Sequence, residues 1–344
     1  MFLPHNQKLF YASDTTMALW PRLAAGLSVA EFVSAASAGG ANGRQSLTEL
    51  LDSGAVRYLA PRSGPVPVTA HMCLSISGHA IGICCTGERT ARLVRSAFEH
   101  LLVADTPAQD QLVLIEEASR AGLAWAGEDP EWHRWDEIGA ALKFMLTTQV
   151  LDLSEDPVLH TATVSAAGGS MLLCGDPGSG KSTLSVALHG EGFRLEGDDL
   201  AVLRSGGQVM SLPFPATLKC GSLPLLAQRL PGLEDLPDYL RPDGKRVRYR
   251  ALDAGAFPAR PVRCVLFLDR SPDTPAGLAP VTAEEEIIRM MLASCWSPDD
   301  RLSGDGFESL AALIGSARFF RARFDGLEQA CGLAREAWSL AGSG

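Results

Sequence analysis

The sequence predicts an α/β protein, a mixed sheet flanked by helices, preceded by a smaller N-terminal α+β region. From Val158 onward strand-like and helix-like runs alternate, the pattern of a sheet with helices on its faces. Met171-Leu172-Leu173-Cys174 is an apolar run of buried-strand length entering a glycine-rich loop, after which Leu184 and Leu188 recur at helical i, i+4 spacing. The 344 residues are 46% apolar and 20% charged, a globular composition with chain enough for two or three domains.

Taken in order, residues 1–60 are expected to form a small helical domain ending in a strand. Helices are predicted over Thr15–Ala25, Ser28–Ala38 and Ser46–Asp52, with Ser28 and Ser46 as N-caps because Glu31 and Glu49 follow each at three residues. Gly54 ends the third helix, Ala55–Leu59 reads as a strand, and the punctuation of Pro61–Pro67 reads as a linker. Residues 61–150 are expected to form an α+β lobe. Cys73–Ile76 and Ile81–Cys84 alternate like paired strands, Glu88–Leu102 has helical spacing, Leu112–Ile115 suits a strand and Trp135–Thr148 a helix. Trp125, Trp132 and Trp135 read as core or as a docking face, with core preferred. Within 151–344, Thr161–Ala166 is expected to turn at Gly168-Gly169 into the loop strand. The stretch 229–261, rich in Pro and Arg, is the least regular, and Leu327–Leu340 is an amphipathic helix.

Composition excludes several function classes. The net charge of −10, from 30 basic and 40 acidic residues, argues against nucleic acid as a partner, since its backbone is bound chiefly by Lys and Arg. Runs such as Val265–Leu268 fall far short of the ~20 apolar residues of a membrane helix, so no membrane partner is expected. Met1–Asn6 lacks the basic-then-apolar pattern of a signal peptide. The eight cysteines show no C-x-x-C pair, and reduced thiols in a cytoplasmic protein are the expectation.

The strongest chemical signal is Gly175-Asp176-Pro177-Gly178-Ser179-Gly180-Lys181-Ser182, a full match to G-x-x-x-x-G-K-[ST]. With only five lysines in the chain, a chance match is expected in roughly one such sequence in a hundred or fewer. Strand, glycine loop and helix together aim backbone N–H groups and a helix N-terminus at an anion. The loop residues, with Thr183 behind them, are therefore the expected ATP-binding set. Lys181 would reach the β/γ-phosphates and the Ser182 hydroxyl would ligate Mg²⁺.

Two places offer the acidic partner such a loop needs. Cys264–Asp269 is an apolar strand ending in an acid, and Arg194-Leu195-Glu196-Gly197-Asp198-Asp199 carries a double carboxylate. A solvated turn is the other reading of the Asp pair. His160, which precedes the hairpin into the loop strand, reads either as a structural hydrogen-bonder or as a catalytic group.

The order His160, Gly175–Ser182, then Gly192-Phe193-Arg194-Leu195-x-x-Asp198-Asp199 resembles the catalytic domain of the HPr kinase/phosphorylase family. It is closer to the HPr-kinase-related proteins found beside peptide-modification genes, with which Pro213-Phe214-Pro215-Ala216-Thr217-Leu218-Lys219 also shares a Pro-Phe-Pro…Lys stretch. The resemblance spans about 155–344. It implies a P-loop kinase domain over 151–344 and Mg²⁺-dependent transfer from ATP to a serine-type hydroxyl. Asp198 would accept the hydroxyl proton with His160 nearby holding or tuning it, and Asp199 would join Ser182 on the metal or position the partner. The Glu-x-Arg-Gly-type signature of the bifunctional enzymes is absent, which argues against phosphorylase activity and against HPr as the acceptor. It also leaves a further metal ligand unassigned. Lys219 reads as a phosphate contact or a surface lysine. Arg241, Lys245, Arg246, Arg248 and Arg250 read as a grip on phosphoryl or substrate charge, or as a solvated loop.

Residues 10–60 resemble, through Phe10-Tyr11, Met17–Trp20, Ser28–Glu31 and Leu47–Val56, the winged-helix peptide-recognition domains of peptide-modifying enzymes. A small structural lobe would carry the same pattern. The resemblance implies an acceptor serine on a ribosomally made precursor peptide, in a lasso-peptide-like natural-product pathway. The family also implies a homo-oligomer. Two other readings stand beside this one: a kinase of a small hydroxylated metabolite, and a nucleotide-dependent regulatory protein without transfer.

Overall fold

The computed structural model describes residues 2–3, 8–9, 13–25, 27–40, 42–52, 55–56, 68–104, 106–108, 110–252, 257–272, 274–297 and 302–342. The chain divides into two compact units, Met1–Val66 and Pro67–Gly344. Among the described residues no helix is long and apolar enough to cross a membrane.

The smaller unit holds three helices, Asp14–Ala25, Val29–Ala38 and Gly43–Asp52, around buried Leu19, Phe32, Ala36 and Leu50. The second helix begins as its sequence indicates. Ser28 Oγ accepts from the Glu31 N–H (3.2 Å) and the Glu31 carboxylate accepts from the Ser28 N–H (3.0 Å), a reciprocal capping box. The third helix starts earlier than the expected cap at Ser46. Asn42 takes that role, its Oδ1 accepting from the Gln45 N–H at 3.3 Å. The expected strand Ala55–Leu59 falls mostly outside the described residues, and Ala55 donates back to the Leu50 carbonyl at 2.9 Å in a bend. The linker Pro61–Pro67 lies outside them entirely.

The larger unit is α/β, with mixed sheets flanked by helices. Its first part is a six-stranded sheet ordered Leu102–Val103, Ala70–Ile76, His79–Cys85, Asp110–Glu116, Arg120–Trp125, Glu131–Arg134. The first hairpin turns on Ser77 and Gly78, both with positive φ (53° and 86°), the two-residue turn that matches strand twist. The helix Glu88–Phe98 buries Ala91, Leu93, Val94, Ala97 and Phe98 on this sheet. The last helix of this part runs Ile138–Asp152 rather than from Trp135. Trp135 precedes it, donating from Nε1 to the Glu117 carbonyl (3.2 Å) with the Arg89 guanidinium 3.7 Å above its ring. Trp125 and Trp135 pack on the buried core, whereas Trp132 lies beneath Arg120.

The second part is a ten-stranded mixed sheet. The hairpin Ala162–Ala166 and Gly169–Cys174 is antiparallel, turning at Gly168-Gly169 as expected, and Arg194–Gly197 pairs antiparallel on its outer edge. On the other side Gly169–Cys174 runs parallel to the long central strand Arg260–Arg270, which in turn runs parallel to Arg318–Phe324. Both neighbours of Gly169–Cys174 are sheet strands and both its faces are covered, so all six residues are buried, which is why it reads as a continuous apolar run. The helix Lys181–His189 buries Leu184 and Leu188 against it, and Leu327–Leu340 buries Ala330, Cys331, Ala334 and Ala337 in the same cluster. A three-stranded sheet, Ala216–Lys219, Arg246–Arg250 and Asp238–Leu240, closes the site side and orders part of the stretch expected to be irregular. All eight cysteines are free thiols.

Candidate active site

The loop strand ends at Cys174, and the chain folds back through Gly175–Gly180 into the helix that begins at Lys181. Gly178 (φ 98°) and Gly180 (φ 101°) hold left-handed backbone, and the space where each would carry a Cβ is open. A loop of this form can close its N–H groups around an anion without side chains in the way. The Ser179 N–H turns back to the Asp176 carbonyl (3.0 Å), and Ser179 Oγ is buried without a hydrogen-bond partner. Lys181, 8% exposed, donates to the carbonyls of Gly175 (2.6 Å) and Asp176 (3.4 Å). Burial holds its pKa below the ordinary lysine value, and the charge of Lys219 adds to that. Asp198 and Asp199 act in the opposite direction. The loop lysine thus already feels both carboxylates of the pair.

The acid pair follows the short edge strand Arg194–Gly197. Gly197 is needed there because a Cβ would stand 2.7 Å from the Leu212 carbonyl. Glu196 beside it is buried, accepting from Ser165 Oγ (2.7 Å) and pairing with Arg260 (2.9 Å), which anchors the strand end. Asp198 is fully buried. Its Oδ2 accepts from the Thr217 N–H at 2.8 Å, and its Oδ1 is buried with no hydrogen-bond partner. Burial and the neighbouring Asp199 charge push the Asp198 carboxyl up to about 6, against the pull of Lys143, the Thr217 N–H and the Ser182 hydroxyl.

Asp199 is held differently, with a side chain 37% exposed. Burial favours its neutral form, but the Lys143 ammonium, through charge and a hydrogen bond to Oδ2, outweighs it, with help from His160 and Arg241. The net direction is below the ordinary carboxylate value, so Asp199 is ionised. Lys143 also donates to Thr217 Oγ1 (2.6 Å).

His160 reaches the same place through the hairpin. Its N–H donates to the Ser294 carbonyl (2.6 Å), and the next N–H, of Thr161, donates to the Asp199 carbonyl (3.1 Å). The imidazole is exposed at the rim. Partial desolvation and the cations Lys181 and Lys143 lower its pKa, while Asp199 raises it, and the neutral form prevails at pH 7. Thr183 Oγ1 and Ser222 Oγ share a hydrogen bond of 2.8 Å, tying the start of the loop helix to the segment that follows Lys219.

The structure therefore brings the glycine loop, Asp198, Asp199 and His160 to one end of the sheet. Asp269 is engaged elsewhere, by Ser271 (2.5 Å) and Arg323 (3.1 Å). Of the basic cluster, Arg241 acts on Asp199. Arg248 binds Asp238 (2.9 Å) and the carbonyls of Leu233 and Glu234 (2.7 Å each), Arg246 pairs with Asp136 (3.3 Å), Lys245 pairs with Asp243 (3.4 Å), and Arg250 donates to the Ala251 carbonyl (2.8 Å). Sequence reasoning missed Lys143 and Thr217. A signal for Lys143 existed: it is the single charge in the otherwise uncharged run Ile138–Val150, and one of five lysines. Among the described residues no group of three or more His, Cys, Asp or Glu is placed to hold a metal.

No protein-family model matches this sequence, and no curated protein matches it at a significant level.

Proposed function

We propose that the chain is a P-loop kinase of the HPr-kinase type that moves the γ-phosphoryl group of ATP to a serine-type hydroxyl, with a precursor peptide as the acceptor. The observation that carries this reading is the convergence of the glycine loop with the Asp198-Asp199 pair: both carboxylates act on the Lys181 ammonium, and the Ser182 hydroxyl reaches Asp198. The residues fit both groups the reaction needs. Positive-φ glycines leave open space for a triphosphate, and the buried, unpartnered Oδ1 of Asp198 is a polar atom awaiting a partner. Ser182 and Asp199 are the residues that would hold Mg²⁺, an ion that commonly takes one or two protein ligands and completes its shell with phosphate and water. Bound there, Mg²⁺ would neutralise charge on the β- and γ-phosphates.

The rest follows from the chain's own groups. Lys181 exchanges its loop-carbonyl bonds for phosphate oxygens. Asp198, whose carboxyl titrates at about 6, is a carboxylate at neutral pH yet close enough to its pKa to accept a hydroxyl proton as that oxygen attacks. Asp199 stays ionised under Lys143, with His160 beside it. Phosphoryl transfer asks for little more than this positioning and charge neutralisation.

The test is incubation of the protein with γ-labelled ATP, Mg²⁺ and the serine-containing peptide encoded beside its gene. The proposal expects a mass gain of one phosphate on the peptide that disappears in Asp198→Asn. Labelling of a small hydroxylated metabolite instead would retain the kinase and replace the acceptor. Nucleotide binding with no labelled product from any acceptor would overturn the transferase.

A further inference from the structure

Lys143 stands on the helix Ile138–Asp152, outside the segment that carries the glycine loop and the acid pair, and its side chain is 9% exposed. A buried ammonium is unfavourable unless every nearby acceptor is in place. Here it donates to Asp199 Oδ2 and Thr217 Oγ1 and lies 5.5 Å from the centre of the Tyr249 ring. The Thr217 N–H in turn holds Asp198 Oδ2 at 2.8 Å, so Lys143 and Thr217 between them touch both acids. The strand carrying Thr217 is secured from the same side. Phe214 is buried in the cluster that includes Ile138, Leu142 and Leu146, and His100 Nε2 lies 2.7 Å from the Pro213 carbonyl.

Asp199, half-exposed, could be satisfied by water, whereas Lys143 is the partner that has given water up. A pair present only for stability would be matched by an apolar side chain of similar volume. Orientation of a carboxylate is what an apolar side chain cannot supply.

We infer that Lys143 is a positioning residue: it fixes the Asp199 carboxylate and the Thr217 strand so that both acids face the glycine loop, which makes the lobe of residues 68–152 a working part of the site. The inference rests on the kinase reading, and its test keeps the two apart. Lys143→Met is made in the full chain and read in three ways. Mn²⁺ affinity is measured by electron paramagnetic resonance with a non-hydrolysable ATP analogue present. Slow hydrolysis of γ-labelled ATP is followed with water as acceptor, and thermal melting reports folding. The expected result is Mn²⁺ affinity at least tenfold weaker and kcat at least thirtyfold lower, with KM for ATP within threefold of wild type. If Lys143→Met does not fold, Thr217→Val, which removes only the hydroxyl, carries the test with an expected five- to twentyfold loss of kcat. Mn²⁺ affinity and kcat within threefold of wild type in the folded variant overturn the inference alone. A wild-type chain that binds no Mn²⁺ with the analogue overturns the kinase reading and this inference with it.

Discussion

Asp198→Asn is expected to make the protein more stable while removing phosphoryl transfer. In the folded chain this fully buried carboxyl takes up its proton at about 6, against an ordinary value of 3.8. Folding therefore takes up a proton between these values, and wild-type stability falls as pH rises through that window. A displacement in this direction makes the buried carboxylate destabilising, on the order of a few kcal/mol, once the pH is well above 6. Asparagine keeps an acceptor for the Thr217 N–H and removes the buried charge, along with its attraction to Lys143. A net gain of about 1–3 kcal/mol is expected at pH 7.5, or roughly 2–6 °C in the melting temperature of a unit this large. The assay is differential scanning calorimetry of both proteins in chelator, without nucleotide, at pH 7.5 and pH 5. The gain should shrink at pH 5, where wild type is largely protonated. A variant that melts lower at pH 7.5, or that gains equally at both pH values, would refute the argument from burial.

Three further outcomes follow from the same geometry. Lys181→Met should leave folding intact yet weaken binding of a fluorescent ATP analogue at least a hundredfold, because the loop loses its phosphate cation; affinity within tenfold of wild type would count against the loop as the triphosphate site. Gly197→Ala forces a Cβ to 2.7 Å from the Leu212 carbonyl, so denaturant melts should show a loss of about 1–3 kcal/mol and kcat should fall as the acid pair shifts. Arg260→Met strands the buried Glu196 carboxylate and should remove about 3 kcal/mol from urea unfolding, whereas Glu196→Gln, which can still accept from Ser165, should lose less.

The parts of this molecule governed by local rules were legible in its sequence. The capping box at Ser28, the turn at Gly168-Gly169, the loop from Gly175 to Lys181 and the helix Leu327–Leu340 each depend on residues close together in the chain. The third helix started early because Asn42 caps it and Gly43 lets its backbone approach Val33, a tertiary preference that the Ser46-Glu49 spacing does not reveal. The basic residues near 241–250 read as one cluster, but strand alternation and local acids send most of them to structural partners. Lys143 escaped notice for a related reason. It meets Asp199 from 56 positions away, through the packing of a lobe whose helix shows no amphipathic stripe in its sequence because the buried face carries this lysine while Phe144 lies exposed on the outer face. Thr217 lies within the Pro-Phe-Pro…Lys stretch without a chemical signal of its own, and its function at the site lies as much in its backbone N–H as in its side chain.

The most direct test is a crystal structure of the full chain with Mg²⁺ and a non-hydrolysable ATP analogue. The account predicts the terminal phosphate between Lys181 and the two carboxylates at 198 and 199, with Lys143 still bound to the second of them. A nucleotide seated away from residues 175–183, or acid side chains turned from its terminal phosphorus, would contradict it.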